Sequence, residues 1–131
     1  MSSTKLESLY QELGRLALEA AGEPVDRLLL YAEVEDGVVS ADLFYRTSDK
    51  PVRFRYGPTQ MVEVVYALWQ TWKDTPGNSE WRVLSYAINN GTLSFELAYP
   101  DRLQPNEDIS DRRPLAVKRV FGDSDVDYSR P

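Results

Sequence analysis

Glu33, Glu35 and Asp42 fall within the stretch LYAEVEDGVVSADLFYR, where apolar and polar residues alternate about an Asp-Gly turn, a pattern that predicts a β-hairpin. Acids two residues apart on one strand, with a third on its neighbour, share a sheet face. Such a set can hold a hard cation or divide general-acid and general-base roles. Either task requires ligands that converge in a concave, partly dehydrated pocket. An open sheet surface near Arg53 and Arg55 offers no such pocket, so an exposed cross-strand ion pair, Asp42 against Arg55, is the simpler expectation. The chain has no Cys and no His, which removes thiolate nucleophiles, Cys-type zinc sites, the usual general base and the commonest metal ligand. It also has no Walker loop, no Gly-rich dinucleotide turn and no calcium-loop pattern. Any active site would have to use carboxylates, Lys, Ser or Tyr. We therefore expect no enzyme, and we assign no catalytic, cofactor-binding or metal-ligating residue.

The elements that place these acids can be read from periodicity. In STKLESLYQELGRLALEAAGEP, residues Leu6, Leu9, Tyr10, Leu13, Leu16, Ala17 and Ala20 recur at three- and four-residue steps and predict an amphipathic helix. Thr4 with Glu7 fits a capping box, Gly22 a left-handed stop and Pro24 a block to resumption. In the hairpin, Asp36-Gly37 as a two-residue turn sets Glu35 opposite Val38, Glu33 opposite Ser40, Tyr31 opposite Asp42 and Leu30 opposite Leu43. One face then holds Leu28, Leu30, Ala32, Val34, Val39, Ala41, Leu43 and Tyr45 and must be the core side, since a one-residue slip would bury the acids. A third strand, PVRFRY, follows the polar turn Thr47 to Lys50. Its expected register sets Tyr45 against Val52, Leu43 against Phe54 and Ala41 against Tyr56.

Gly57-Pro58 opens a second helix, Pro76-Gly77 ends it, and its wide arc of Met61, Val62, Val64, Val65, Tyr66, Leu68, Trp69 and Trp72 reads as core packing. WRVLSYAINNGTLSFELAYP is a second hairpin turning at Asn90-Gly91, with Ile88 facing Leu93, Tyr86 facing Phe95 and Leu84 facing Leu97. SDRRPLAVKRVFG predicts a third helix capped by Ser110 or Asp111, with Pro114 in its first turn. Residues 123–131 form an acidic tail expected to fray. The order α-β-β-β-α-β-β-α suggests a single α+β domain over residues 1–131. Its antiparallel sheet would have about five strands, with helices mainly on one face.

Of the 131 residues, 21 are acidic and 15 basic, a net charge of −6. Residues 1–42 carry nine acids against Lys5, Arg15 and Arg27, so the whole excess lies there. That charge disfavours direct binding to nucleic acid and suits a basic protein surface. No membrane span or signal peptide is visible, so a cytoplasmic location is the default expectation. Leu29, Tyr31, Val38 and Phe44 share the carboxylate face, and two arrangements fit. The face is open, an apolar centre ringed by acids that suits protein binding, or the first or the C-terminal helix covers it.

The segments LYQEL, LLLYAEVED, VSADLFYR, WRVLSYAI, GTLSFELAYPD and RRPLAVKRVFG, in this order along most of the chain, resemble the YezG-type bacterial immunity proteins. The resemblance implies a small cytoplasmic inhibitor that binds a secreted polymorphic toxin, typically a nuclease domain, and has neither catalytic residues nor cofactors. On that expectation the partner-binding candidates are Tyr31, Glu33, Glu35 and Asp36 with Asp42 and Phe44 on the same hairpin, then Asp123, Asp125 and Asp127. The alternative is an adaptor or homodimerising module using Phe44 and Trp69. A carboxylate-dependent enzyme ranks third.

Overall fold

The computed structural model describes residues 2–35, 37–47 and 50–128, the first three through their backbone alone. The elements are α1 (Ser2–Ala21), β1 (Arg27–Glu35), β2 (Val38–Arg46), β3 (Val52–Tyr56), α2 (Thr59–Asp74), β4 (Val83–Asn89), β5 (Thr92–Ala98), a 3-10 turn (Pro100–Arg102), α3 (Ile109–Phe121) and β6 (Val126–Asp127). This is the expected α+β architecture. The sheet, however, has six strands, in the order β5-β4-β1-β2-β3-β6. The sixth comes from the acidic tail, where Val126 pairs in parallel with Val52 and the Asp125 carbonyl accepts a hydrogen bond from the Val52 amide. All other pairings are antiparallel.

β1 is central, and every residue from Leu28 to Val34 is buried. A strand flanked on both sides within a sheet covered on both faces has no solvent side, which accounts for the unbroken Leu28-Leu29-Leu30 run. On one face, α1 and α2 pack Leu13, Leu16, Ala17, Met61, Val65 and Leu68 against Leu28, Leu30, Ala32, Leu43, Tyr45, Leu84 and Tyr86. Gly14 lets this packing close, because a Cβ there would lie 2.7 Å from the Tyr86 hydroxyl, which donates to the Tyr10 carbonyl. On the other face, Ala116, Val117 and Phe121 of α3 cover Leu29, Tyr31, Phe44, Val52, Phe54 and Val83. The molecule is therefore three layers deep, with two of its three helices on one face of the sheet and α3 alone on the other.

Both hairpin registers are as expected from their turns. Asp36 lies outside the described residues, and Asn90 and Gly91 adopt φ of 50° and 84°. The β3 register is not as expected. Asp42 lies opposite Tyr56, Leu43 opposite Arg55, Phe44 opposite Phe54 and Tyr45 opposite Arg53, a slip of one residue that turns every β3 side chain to the other face. Because both faces of β2 are apolar here, burying Val52 and Phe54 did not discriminate between registers. The amide of Gly57 donates to the Ala41 carbonyl at 2.9 Å, and a Cβ on Gly57 would approach that oxygen to 2.6 Å, so the strand end docks where only glycine fits. The slip sends Arg55 to the Ala20 carbonyl at the C-terminus of α1, at 2.7 Å, and Arg53 to Glu23. There a cation complements the helix dipole.

α1 begins at Ser2, which places Thr4 inside the helix; the Thr4 side chain lies outside the described set. α3 starts earlier than its sequence pattern suggests. Asp108 is the cap, its side chain accepting from the Ser110 amide while Asp111 accepts from the Asp108 amide, so Pro114 sits beyond the first turn.

Candidate functional site

The carboxylate face is formed by β1 and β2 and roofed by α3. Arg112 and Arg113 are adjacent on α3, and each reaches one acid. Arg112 grips Glu33 with both ends of its guanidinium, Nε to Oε2 at 2.9 Å and Nη2 to Oε1 at 2.6 Å, while its Nη1 donates to the Glu107 carbonyl. The Tyr31 hydroxyl adds a third bond to Glu33 at 2.6 Å. Arg113 donates to Asp42 at 2.7 Å, its guanidinium 5.9 Å from the Phe44 ring centre and 5.5 Å from that of Phe54. Glu33 and Asp42 are each only 6 % exposed. Two acids this buried need bidentate or charge-assisted partners to offset their desolvation, and the paired arginines provide them.

Electrostatics follow from this geometry. Hydrogen bonding to Glu33 raises the Arg112 guanidinium above its usual range, keeping it charged under all ordinary conditions. Burial, followed by the bond to Glu33, raises the Tyr31 phenol, so it stays a proton donor. The arrangement is a clamp that docks α3 onto the sheet. Both Glu33 oxygens are occupied by three donors, which leaves this carboxylate poorly placed to accept a substrate proton or ligate a cation. Among the described residues, no group of three or more His, Cys, Asp or Glu side chains converges as a metal site.

Of the residues expected to contact a partner, Tyr31, Glu33, Asp42 and Phe44 are thus buried beneath α3. Of the two arrangements that fit the sequence, the structure has the covered one, with the C-terminal helix as the cover, and these four are not an open binding face. The anticipated Asp42–Arg55 pair is absent because β3 is shifted; Asp42 binds Arg113 instead. Trp69 is also interior, its indole N–H donating to the Trp81 carbonyl at 2.9 Å, so neither Phe44 nor Trp69 can form a dimer surface in this state. Glu35 remains exposed and pairs with Arg82 at 2.7 Å. Asp123, Asp125 and Asp127 are exposed. They lie at the other end of the sheet, near Arg46, whose guanidinium reaches Ser124. β1 separates the two acidic groups by roughly 26 Å at 3.3 Å per residue, so they form two surfaces.

Sequence reasoning missed Arg112 and Arg113 as the partners of the acids. The available signal was the apolar company of the acids: Leu29, Tyr31 and Phe44 on one face meant a cover, and RRPLAVKRVF was the only basic, amphipathic segment left to supply it.

Where the roof stops, at the hairpin end of β1 and β2, an open groove of about 510 Å³ remains. Its floor is the Glu33–Arg112 pair, and its walls include Glu35, Val38, Ser40 and Arg82 on one side and Pro105, Glu107, Asp108 and Ile109 on the other. Four acids and two arginines line it, a balance of −2. Val38 is 70 % exposed at its rim. The chain matches no family model and no curated protein.

Proposed function

We propose that this protein is a non-enzymatic immunity protein, an antitoxin of the YezG type that its sequence resembles, acting in the cytoplasm of the cell that makes the toxin. It neutralises a polymorphic toxin domain, a nuclease by preference, by pressing against it and blocking the substrate cleft without chemical turnover. The observation that carries this reading is the groove at the hairpin end, where an exposed apolar residue, Val38, sits among accessible acids. A nuclease cleft is basic because it must hold phosphates. An inhibitor with acids around an apolar contact gains encounter rate from the charge and residence time from the buried centre. The excess negative charge of residues 1–42 supports the same polarity of partner. The contact set narrows from the hairpin as a whole to Glu35, Val38, Glu107 and Asp108, while the tail acids Asp123, Asp125 and Asp127 remain a second, separate surface. A carboxylate-dependent enzyme draws little support from acids whose oxygens are already engaged by Tyr31, Arg112 and Arg113.

The open reading frame beside this gene supplies the probe. Expressed alone, its C-terminal domain should arrest growth, and co-expression of this protein should restore it. The double substitution Glu35→Lys with Val38→Asp should slow association about tenfold and weaken its salt dependence, with the fold preserved. A neighbouring product that is harmless alone, or remains lethal beside the wild-type protein, rejects the function. Rescue with an association rate unmoved by the double substitution rejects this face.

A further inference from the structure

We propose that the outer edge of β5 is a self-pairing surface, through which two copies of this chain join antiparallel across a twofold axis at Phe95 and extend the six-stranded sheet into one of twice that size. β5 is the last strand on its side of the sheet. The two-residue turn at Asn90-Gly91 makes Asn89 and Thr92 a hydrogen-bonded pair, so Thr92, Ser94, Glu96 and Ala98 direct their backbone groups toward β4. The bond from the Arg82 amide to the Ala98 carbonyl, at 2.8 Å, agrees with that alternation. The backbone groups of Leu93, Phe95 and Leu97 therefore face outward, and no hydrogen bond among the described residues engages them.

Exposed edges normally carry Lys, Pro, a bulge or a short covering strand that blocks further pairing. The opposite edge has such devices: β3 follows Pro51, includes Arg53 and Arg55, and is covered by β6. β5 has none of them. It contains no Pro, Lys or Arg and matches β4 residue for residue over seven positions. Leu93 and Phe95 are 46 % and 44 % exposed, and the Phe95 ring is held by stacking on Tyr10 at 4.5 Å.

The strand is complementary to itself. With Phe95 on the axis, Leu93 meets Leu97 of the second copy, Phe95 meets its counterpart, and the outward groups align as three hydrogen-bonded pairs with about six bonds. Glu96, the sole charge on β5, falls opposite Ser94, so no like charges are opposed even though each chain carries −6. One strand-to-strand contact buries less than the roughly 1,600 Å² of a standard interface, so the dimer is reversible and forms at high concentration.

Sedimentation equilibrium of the full chain alone, up to about 1 mM, should show a mass rising from one chain toward two. Hydrogen exchange on the same samples should show amides of Leu93, Phe95 and Leu97 gaining at least tenfold protection with concentration, while those of Ser94 and Glu96 are protected throughout. Leu93→Pro removes an outward donor and leaves the β4 ladder intact. Phe95→Lys sets two cations face to face on the axis. Each should weaken association at least tenfold. A single-chain mass at every concentration with freely exchanging odd-numbered amides overturns the proposal, as does a dimer indifferent to both substitutions. Because no toxin is present, either result stands independently of the function proposed above.

Discussion

Arg112 and Glu33 show how a residue that resembles chemistry can belong to the scaffold. With side chains 10 % and 7 % exposed and two parallel hydrogen bonds, the pair sits where desolvation and attraction are both large. Such a pair contributes little net stability over an apolar replacement, yet removing one member leaves a buried charge. Arg112→Met should therefore cost about 3–5 kcal/mol in urea unfolding. Adding Glu33→Leu and Tyr31→Phe should recover most of that loss. A single substitution costing less than about 1 kcal/mol would mean that the clamp is not what holds α3.

At the level of elements, β3 illustrates how a local contact sets a register that periodicity leaves open. Val52 and Phe54 could have faced either layer, because Leu43 and Tyr45 on one side and Phe44 on the other are all buried. The close approach of Gly57 to the Ala41 carbonyl selects one alignment, and Phe44 then packs against Phe54 with ring centres 5.2 Å apart and planes tilted by 52°. Gly57→Ala should destabilise the protein by about 1–3 kcal/mol through overpacking against backbone. Exchange should loosen first in β3 and β6, with the β1–β4 ladder unaffected. Uniform loosening of the whole sheet would argue against a register role. α3 behaves likewise: its cap at Asp108 and its two arginines place its start and rotation, and these decide which sheet residues are covered.

Across the whole molecule, burial on both sheet faces shows in how its phenols titrate. Tyr10 is raised to about 12, first by burial and then by the nearby phenols of Tyr99 and Tyr86. Tyr31 and Tyr86 are also raised, with burial the leading cause for each. An unfolded chain ionises its phenols near 10.0, the ordinary value. Above that pH the unfolded state loses protons that the folded state retains, so this contribution to stability is intact below about pH 10 and lost as pH rises toward 12. The urea midpoint should fall steeply over that window. Tyr10→Phe should flatten the slope and, because the Tyr10 hydroxyl is buried without a partner among the described residues, should leave neutral-pH stability equal or higher by about 1 kcal/mol. An unchanged slope would place the alkaline transition elsewhere.

The amino-acid sequence by itself determined what is local: three helices from their three- and four-residue stripes, two hairpins with their registers from Asp36-Gly37 and Asn90-Gly91, and the lack of thiol and imidazole chemistry. Turn geometry and side-chain period act within a few residues, so these features needed no knowledge of the rest of the chain. The tertiary structure alone decided that Glu33 and Asp42 are roofed, that Arg112 and Arg113 are their partners, that β3 slips by one, and that Val126–Asp127 adds a sixth strand. Each depends on residues about 70 or more positions apart or on a choice between two equally apolar faces. No periodicity records which face a distant helix will cover. The groove with Glu35 and Val38 exists because α3 starts at its Asp108 cap and leaves the hairpin end of β1 and β2 unroofed. The edge of β5 is bare because the added strand, β6, joins the opposite edge of the sheet.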